Sequence, residues 1–385
     1  MRHHNSVMHG LLKHVPWSCF DRLVDEYGAD ARVRRLSTKS QFVALLFGQL
    51  AGAVSLREIE TAMESHSARL YHLGARAVSR STLADANALR PHAVFSQLFA
   101  HMVGLAGRGL RRSTAEAVRL IDSTGVRLSG LAAEWARFSK QACGAKAHII
   151  YDPDAEMPLY LEVTPAKVND ITAAQAMPIE PGATYVFDLG YYHYAWWALL
   201  DAAGCRIVTR LKKNTPLTLI AEQSLPPGSA LLHDRIGTLP ARLKGARRHP
   251  FQDPVREIGV RLDDGKTILR VVTNDLDAPA QEIADLYKRR WAIELFFRWV
   301  KQTLRIKHFL GRSKNAVRIQ IAVALIAYLL ISLAKDAVRI VESPLAFARL
   351  VRTNLMHRRR LDQLLNPPPA TAADPRQLQL NLILT

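Results

Sequence analysis

Residues 287–301 read YKRRWAIELFFRWVK, and this stretch is the most informative part of the chain. Its pattern predicts a single helix, because at ~100° per residue, side chains three and four positions apart return to the same side. The polar members of that side are Tyr287, Arg290, Glu294, Arg298 and Lys301. A phenol, a carboxylate and three cations are therefore expected to share one stripe.

A second stripe on the same predicted helix is apolar. Its members are Leu286, Ile293, Phe297, Val300 and Leu304. The two stripes lie roughly a quarter-turn apart, so the polar stripe borders the buried face instead of lying opposite it. Charges at such a border are partly desolvated and can act on a substrate.

The overall charge of the chain indicates a polyanionic partner. The 385 residues include 52 lysines and arginines against 34 acids, which gives a net charge of +18. Basic clusters recur along the chain, for example at 32–35, 305–318 and 358–360. Because no single detachable tail carries the excess, we expect a folded basic surface that binds nucleic acid.

The cysteines and the apolar segments indicate a cytoplasmic protein without a membrane anchor. Cys19, Cys143 and Cys205 show no metal-ligand spacing, which predicts free thiols in a reducing compartment. The most apolar run, 321–334, is too short to cross a bilayer and is interpreted as a core helix. Residues 1–5 are followed by too little apolar sequence for a signal peptide.

The first 110 residues predict a helical N-terminal domain. Capping-box patterns at Ser55–Glu58 and Thr82–Asp85 mark two helix starts. The predicted helices lie near 8–27, 38–51, 55–65, 81–88 and 91–105. We expect this domain to bind DNA, and the helical pair joined across 51–54 is the candidate DNA-reading element. A plain helical bundle is the more ordinary interpretation of such a pair.

From residue 118 the pattern changes to short β-branched runs. The predicted strands are 118–121, 147–151, 159–163, 184–187 and 205–209, followed after residue 213 by 230–233, 256–261 and 267–273. Helical patterns interrupt the first set at 165–177 and 194–203, and resume at 278. The fold class is therefore α/β: a catalytic domain over 111–212 and 276–335, an all-β insertion over 213–275, and C-terminal helices and a tail over 336–385.

Two aspartates stand where a metal site needs them. Asp122 is expected to end the first strand, and Asp188 the fourth. A carboxylate that emerges from an apolar strand loses hydration and needs a compensating cation. Together with Glu294, these oxygen ligands suit Mg²⁺ or Mn²⁺. Each aspartate alone is more often an ordinary turn residue, so the combination of three carries the prediction.

The pattern Tyr-x2-Arg-x3-Glu-x6-Lys, met by Tyr287, Arg290, Glu294 and Lys301, resembles the signature of DDE transposases of the insertion-sequence-4 type. Asp-Ser-Thr at 122–124 and Asp-x-Gly-Tyr at 188–191 agree with that family. The resemblance covers roughly residues 5–350. One departure is Leu189, where relatives often carry arginine.

This resemblance implies an RNase H-like catalytic domain with an all-β insertion. It implies that Asp122, Asp188 and Glu294 are catalytic and hold two Mg²⁺ or Mn²⁺ ions. Tyr287, Arg290 and Lys301 match residues that contact DNA, and Arg298 of the same stripe is a further DNA-binding candidate. The expected partner is double-stranded DNA, both element ends and target, bound by a homodimer that associates with the nucleoid.

The predicted function is therefore that of a transposase, which performs metal-dependent phosphodiester hydrolysis and strand transfer. Two alternatives remain open: a catalytically silent basic DNA-binding regulator derived from a transposase, and an RNase H-like nuclease that never joins strands. A more ordinary interpretation of Arg290 and Glu294 is an i,i+4 ion pair on a helix surface.

Overall fold

The computed structural model describes residues 6–110, 117–128, 133–137, 139, 143–225, 230–241, 248–262, 267–303, 309–340 and 343–364. Within these ranges the protein is a mixed α/β structure built around one large sheet. The predicted stripe member Leu304 and the predicted tail beyond residue 364 lie outside the described residues.

The N-terminal region is helical, as predicted. Its helices are α1 (Val7–Leu12), α2 (Trp17–Glu26), α3 (Thr38–Ala51), α4 (Leu56–Ser65), α5 (Ser67–Leu70), α6 (Arg80–Leu89) and α7 (Ala93–Leu110). The stretch expected as one helix over 8–27 is two helices, because the chain turns at Pro16, which cannot continue a helix from its own amide.

Serine side chains start several of these helices. Ser55 accepts a hydrogen bond from the Glu58 amide, so the first predicted cap is confirmed. The second was placed wrongly: Ser79 accepts from the Thr82 amide, and α6 begins at Arg80. Ser79 lies three residues before the expected cap and accepts from the amide of Thr82 itself, so Thr82 and Asp85 lie inside the helix.

Nine strands in the described part of the chain form one sheet. They are β1 (Val118–Leu128), β2 (Cys143–Asp152), β3 (Met157–Pro165), β4 (Thr184–Phe187), β5 (Arg206–Arg210), β6 (Thr218–Glu222), β7 (Leu231–Thr238), β8 (Val255–Arg261) and β9 (Ile268–Thr273). The order across the sheet is β3-β2-β1-β4-β5-β9-β8-β7-β6. Strands β1, β2 and β3 are antiparallel neighbours, whereas β1, β4 and β5 run parallel.

The strands predicted after residue 213 extend this sheet. Strand β9 pairs with β5 in the antiparallel sense, and β8, β7 and β6 follow outward. The regular elements in the described part of 213–275 are strands, as expected. The strands of 213–275 are thus continuous with the rest of the sheet through hydrogen bonds between β5 and β9.

The remaining helices follow the strands or lie between them in the sequence. They are α8 (Ala133–Ala136), α9 (Asp170–Ala174), α10 (Tyr194–Ala202), α11 (Ala280–Lys288), α12 (Trp291–Thr303), α13 (Lys314–Ala337) and α14 (Pro344–Asn354). Alternate residues of β1 enter different cores: Leu120 joins the core that contains α12 and α13, and Ile121 joins the core that contains α10.

Helix α13 is the central helix of the larger core. Among the described residues it is the one unbroken helix long and apolar enough to cross a membrane, yet 83% of its most apolar window is buried within the protein. The predicted core role is therefore confirmed, but the length was underestimated. The cap at Ser313, which accepts from the Ala316 amide, starts the helix well before residue 321.

Replacing Leu330 with alanine should lower the free energy of unfolding by about 2–5 kcal/mol, because the side chain is fully buried in α13 and leaves a cavity. Leu199→Ala is the control, since Leu199 on α10 is 57% exposed and should change stability by less than about 0.5 kcal/mol. Urea denaturation of both variants measures the difference. Equal midpoints would contradict this assignment of the core.

Candidate active site

The register of the parallel strands places the two aspartates side by side. The pairing of β1 with β4 ends at Ile121 and Phe187, so Asp122 and Asp188 follow at the same level of the sheet. The expectation that Asp122 ends its strand is wrong. Strand β1 continues to Leu128 because β2 still pairs with it, Asp122 lying opposite Ile149.

Helix α12 brings Glu294 to the same place. The Arg290 guanidinium lies between two acids: its Nη2 is 2.6 Å from Glu294 Oε1, and its Nη1 is 3.8 Å from Asp122 Oδ2. The Nε of Arg290 is buried and has no hydrogen-bond partner among the described residues. Arg290 and Glu294 therefore form the i,i+4 ion pair of the more ordinary interpretation. This pair faces Asp122 on β1, so it is not an isolated surface pair.

The single helix expected over residues 287–301 is wrong. Helix α11 ends at Lys288 and α12 begins at Trp291. At the break the Arg290 amide donates to the Tyr287 carbonyl at 3.1 Å, a bond between residues three apart. Such a tight turn keeps the residues before and after it in nearly helical relation, so the hydrophobic periodicity does not reveal it.

The polar stripe nevertheless stays together. The Arg290 guanidinium lies over the Tyr287 ring, 5.9 Å from its centroid. Tyr287 is buried, and the described members of the apolar stripe, Leu286, Ile293, Phe297 and Val300, are buried too. Burial raises the pKa of Tyr287, while Arg290 and Arg210 oppose that rise. The phenol therefore stays protonated at neutral pH and can donate a hydrogen bond.

An open cleft of about 350 Å³ connects these groups to solvent. Its lining contains Asp122, Ser123, Thr124, Glu294, Phe297, Arg298, Lys301 and Gln302. Two candidate acids thus share one cleft with two candidate cations. Asp188 does not line this cleft but lies beside it, close enough for its charge to act on Asp122.

Asp122 has the clearest electrostatic signature. Burial raises its pKa from 3.8 to about 6, and the nearby charges of Asp188 and Glu294 act in the same direction. The Ser123 amide, which donates to Asp122 Oδ1 at 2.7 Å, and the Arg290 guanidinium act in the opposite direction. The charged form of Asp122 is therefore disfavoured mainly by burial, and an added cation beside it would offset that cost.

Comparison with known proteins identifies the family. A family described as the transposase DDE domain matches residues 113–330, a range that contains Asp122, Asp188 and Glu294. The chain belongs to the DDE transposase family. It is an enzyme of DNA cleavage and transposition, and its family generally uses divalent metal ions. A second family, described only as a domain of unknown function, matches residues 3–76 of this transposase.

Two bacterial transposases are similar over much of the chain. A putative transposase, y4zB, of Sinorhizobium fredii is 41% identical over 298 residues, which are 76% of this chain and 82% of the relative. A probable transposase for insertion sequence element IS5377 of Geobacillus stearothermophilus is 31% identical over 256 residues, 63% of each chain. A solved piggyBac transposase synaptic complex with hairpin DNA aligns with 98% of this chain and 84% of its own at 13% identity, TM-score 0.46.

The three acids of the transposase fit a divalent cation by their chemistry. Carboxylate oxygens are the ligands that Mg²⁺ and Mn²⁺ prefer. Burial, and to a smaller extent the charges of Asp188 and Glu294, raise the pKa of Asp122, and a bound cation would stabilise its charged form. Among the described residues, no three acidic, histidine or cysteine side chains already form a compact metal-binding group. Arg290, which lies between Asp122 and Glu294, occupies the space where such a group would close.

Arg210 is a candidate site residue that the sequence did not indicate. It ends β5, whose pairing with β4 aligns Val208 with Val186, so Arg210 reaches the level of Asp188. Its Nε is buried without a hydrogen-bond partner in the described part of the chain. Arg210 also lines a larger cleft of about 960 Å³. The available signal was its position at the carboxyl end of a strand parallel to that of Asp188.

The stability of the transposase should depend on pH through Asp122. Because the folded-state pKa of Asp122 is raised to about 6, its contribution to stability is fully present below about pH 4 and is lost as pH rises through 6. Asp122→Asn removes this dependence and should be more stable than wild type at pH 7.5 by roughly 2–3 kcal/mol, since raising a pKa by one costs about 1.4 kcal/mol. Denaturant titrations in EDTA at pH 5 and 7.5 measure it. Parallel pH profiles of the two proteins would contradict the assignment.

Proposed function

We propose that this chain is an insertion-sequence-4-type transposase that binds the terminal repeats of its element, hydrolyses a phosphodiester bond there and transfers the freed strand. The observation that carries the proposal is the cleft that unites Asp122 and Glu294 with Arg298 and Lys301, with Asp188 beside it. Acids for metal ions and cations for phosphates stand in one open groove, as strand cleavage requires.

We propose an RNase H-like fold for the catalytic domain, over 111–212 and 276–335. Support comes from the strand order β3-β2-β1-β4-β5, with three antiparallel strands followed by two parallel ones. Strands of the proposed insertion domain, 213–275, lie in sequence between Asp188 and Glu294. The proposed N-terminal domain covers 1–110, and the C-terminal helices and tail cover 336–385.

The proposed catalytic residues are Asp122, Asp188 and Glu294, which would hold two Mg²⁺ or Mn²⁺ ions. Bound there, the ions would supply Lewis-acid stabilisation and an activated water for in-line displacement. The protein's own part is to present three carboxylates from separate elements and to limit bulk water around Asp122, which is largely buried.

The proposed DNA contacts use the remaining members of the stripe. Arg290 offers a planar fork of donors that suits a phosphate in two-point contact. Lys301 and the exposed Arg298 line the open side of the cleft, where they can neutralise backbone phosphates. Tyr287 stays protonated, so its hydroxyl would donate to a phosphate oxygen. Arg210, at the level of Asp188, is proposed as a further phosphate contact.

The N-terminal helices offer a second basic surface for DNA. A cleft of about 700 Å³ is lined by Arg34, Arg35 and Arg76 together with Tyr71, which is 86% exposed. Cations beside an exposed aromatic ring suit backbone and base contacts. We propose that this surface binds the element end and that a homodimer on DNA holds two ends together. A cytoplasmic, nucleoid-associated location would follow from a DNA partner and the charge of +18.

Glu294→Gln should reduce cleavage of element-end DNA on the order of 10³-fold, because the loss of about 4 kcal/mol of charge stabilisation corresponds to that factor. DNA binding in EDTA should stay within about twofold, since the change removes no positive charge. Glu282→Gln is the matched control: Glu282 on α11 pairs with Arg206, outside the cleft, and should leave cleavage unchanged. Nicking and gel-shift assays in parallel measure both quantities.

The outcomes of that experiment separate the candidate functions. Full cleavage by Glu294→Gln in Mg²⁺ would refute the catalytic assignment. Wild-type protein that nicks DNA but never joins a pre-cleaved end would be a nuclease without strand transfer. Wild-type protein that binds the ends tightly and cuts nothing in Mg²⁺ or Mn²⁺ would be a DNA-binding regulator.

Arg298→Ala should weaken DNA binding nearly equally for all sequences and reduce the slope of log K against log salt by about 1, because one phosphate contact is lost. Gln302→Ala is the control, since this neutral neighbour lines the same cleft. Affinities measured by fluorescence anisotropy across a salt series test the claim. An unchanged slope for Arg298→Ala would remove this residue from the DNA interface.

A further inference from the structure

A fourth acid, Asp170, lies near the proposed metal ligands and is not among them. It begins α9, on the face of the sheet opposite Glu294. Asp170 Oδ1 accepts a hydrogen bond from the Ser123 hydroxyl at 2.7 Å and from Lys146 Nζ at 3.0 Å. Its second oxygen lies against Gly190, where an added Cβ would be 3.2 Å from Asp170 Oδ2.

Two of the residues beside Asp170, Ser123 and Gly190, donate their amides to the two proposed catalytic aspartates. The Ser123 amide donates to Asp122 Oδ1 at 2.7 Å. The Gly190 amide donates to Asp188 Oδ1, also at 2.7 Å. One carboxylate therefore adjoins both residues whose amides donate to these aspartates, although the aspartates come from different strands.

Lys146 holds Asp170 in place from a third strand. Its Nζ donates to the Val168 carbonyl as well as to Asp170, each at 3.0 Å, and so ties the segment before α9 to β2. His148 lies nearby, its Nδ1 3.7 Å from Asp170 Oδ1. Burial lowers the pKa of His148 to about 4, so its ring is neutral at pH 7.

We propose that Asp170 is a positioning residue that fixes the orientation of Asp122 and Asp188 for divalent-cation binding. The inference rests on the proposed role of those two aspartates as metal ligands. Residues that hydrogen-bond to the surroundings of metal ligands set ligand geometry, and their loss typically weakens metal affinity about 10–100-fold. Asp170 itself adjoins Ser123 and Gly190 and acts through them.

The test is metal binding by the full-length protein, followed through the electron paramagnetic resonance signal of free Mn²⁺. Asp170→Ala should weaken Mn²⁺ affinity roughly 10–100-fold. Ser123→Ala, which keeps the amide and loses the hydroxyl, should give a smaller loss in the same direction. Cleavage by Asp170→Ala should recover at high Mn²⁺, while DNA binding and thermal unfolding in EDTA stay at the wild-type level.

Glu180→Gln is the matched control. Glu180 is also an ion-paired acid, with its Oε2 2.8 Å from Nε of Arg119. Arg119 lies on the same strand and face as Ser123, but near the start of β1. The Mn²⁺ affinity of the Glu180→Gln variant should equal that of the wild-type protein. A loss as large as that of Asp170→Ala would show a general effect of broken ion pairs and overturn the proposal.

Other outcomes distinguish this inference from the proposed function. If Asp122→Asn abolishes Mn²⁺ binding while Asp170→Ala and Ser123→Ala bind as wild type does, the positioning role is overturned and the metal site stands. If Asp122→Asn also binds as wild type does, the proposed metal site itself fails. Should Asp170→Ala prove unstable in EDTA, the affinity of Ser123→Ala decides, because that change removes a single hydrogen bond and retains the charge pair.

Discussion

The parallel register of β1 and β4 is the constraint on which the site depends. It sets Asp122 beside Asp188 where the pairing ends, and α12 adds Glu294 from above the same face. Burial, and to a smaller extent the like charges of Asp188 and Glu294, raise the pKa of Asp122, so the charged acids are costly to hold together. Packing of the sheet and helices must hold the acids against that cost, and in this state Arg290 provides the compensating charge between two of them.

The two apolar cores of the protein hold these elements in place from opposite faces of the sheet. Ile293 and Phe297 of α12 are buried with Leu120 of β1, which anchors Glu294 over the strand. On the other face, Ile121 and Phe187 pack with the aromatic residues of α10. Both sides of the register are therefore close-packed, and a small shift of either strand would displace buried side chains at considerable cost. Apolar packing therefore fixes the positions of the three acids.

Much of this arrangement could be predicted from sequence. Short apolar strands ending near Asp122 and Asp188, and the periodicity around Glu294, indicated which elements carry the acids. The break at Arg290 and the continuation of β1 past Asp122 could not, because a tight turn preserves periodicity and Ser-Thr-Gly resembles a loop. Arg210 and Asp170 were missed for another reason: their roles arise from strand register and cross-sheet contacts, which no local pattern encodes.

The central claim is that Asp122, Asp188 and Glu294 share bound divalent cations. Anomalous diffraction from crystals of the protein grown with Mn²⁺ and element-end DNA tests it most directly. We expect metal peaks about 2 Å from oxygens of all three carboxylates, with the Arg290 guanidinium moved from between Asp122 and Glu294. Metal bound elsewhere in a complex that cleaves DNA, with Arg290 still between the two acids, would contradict the claim.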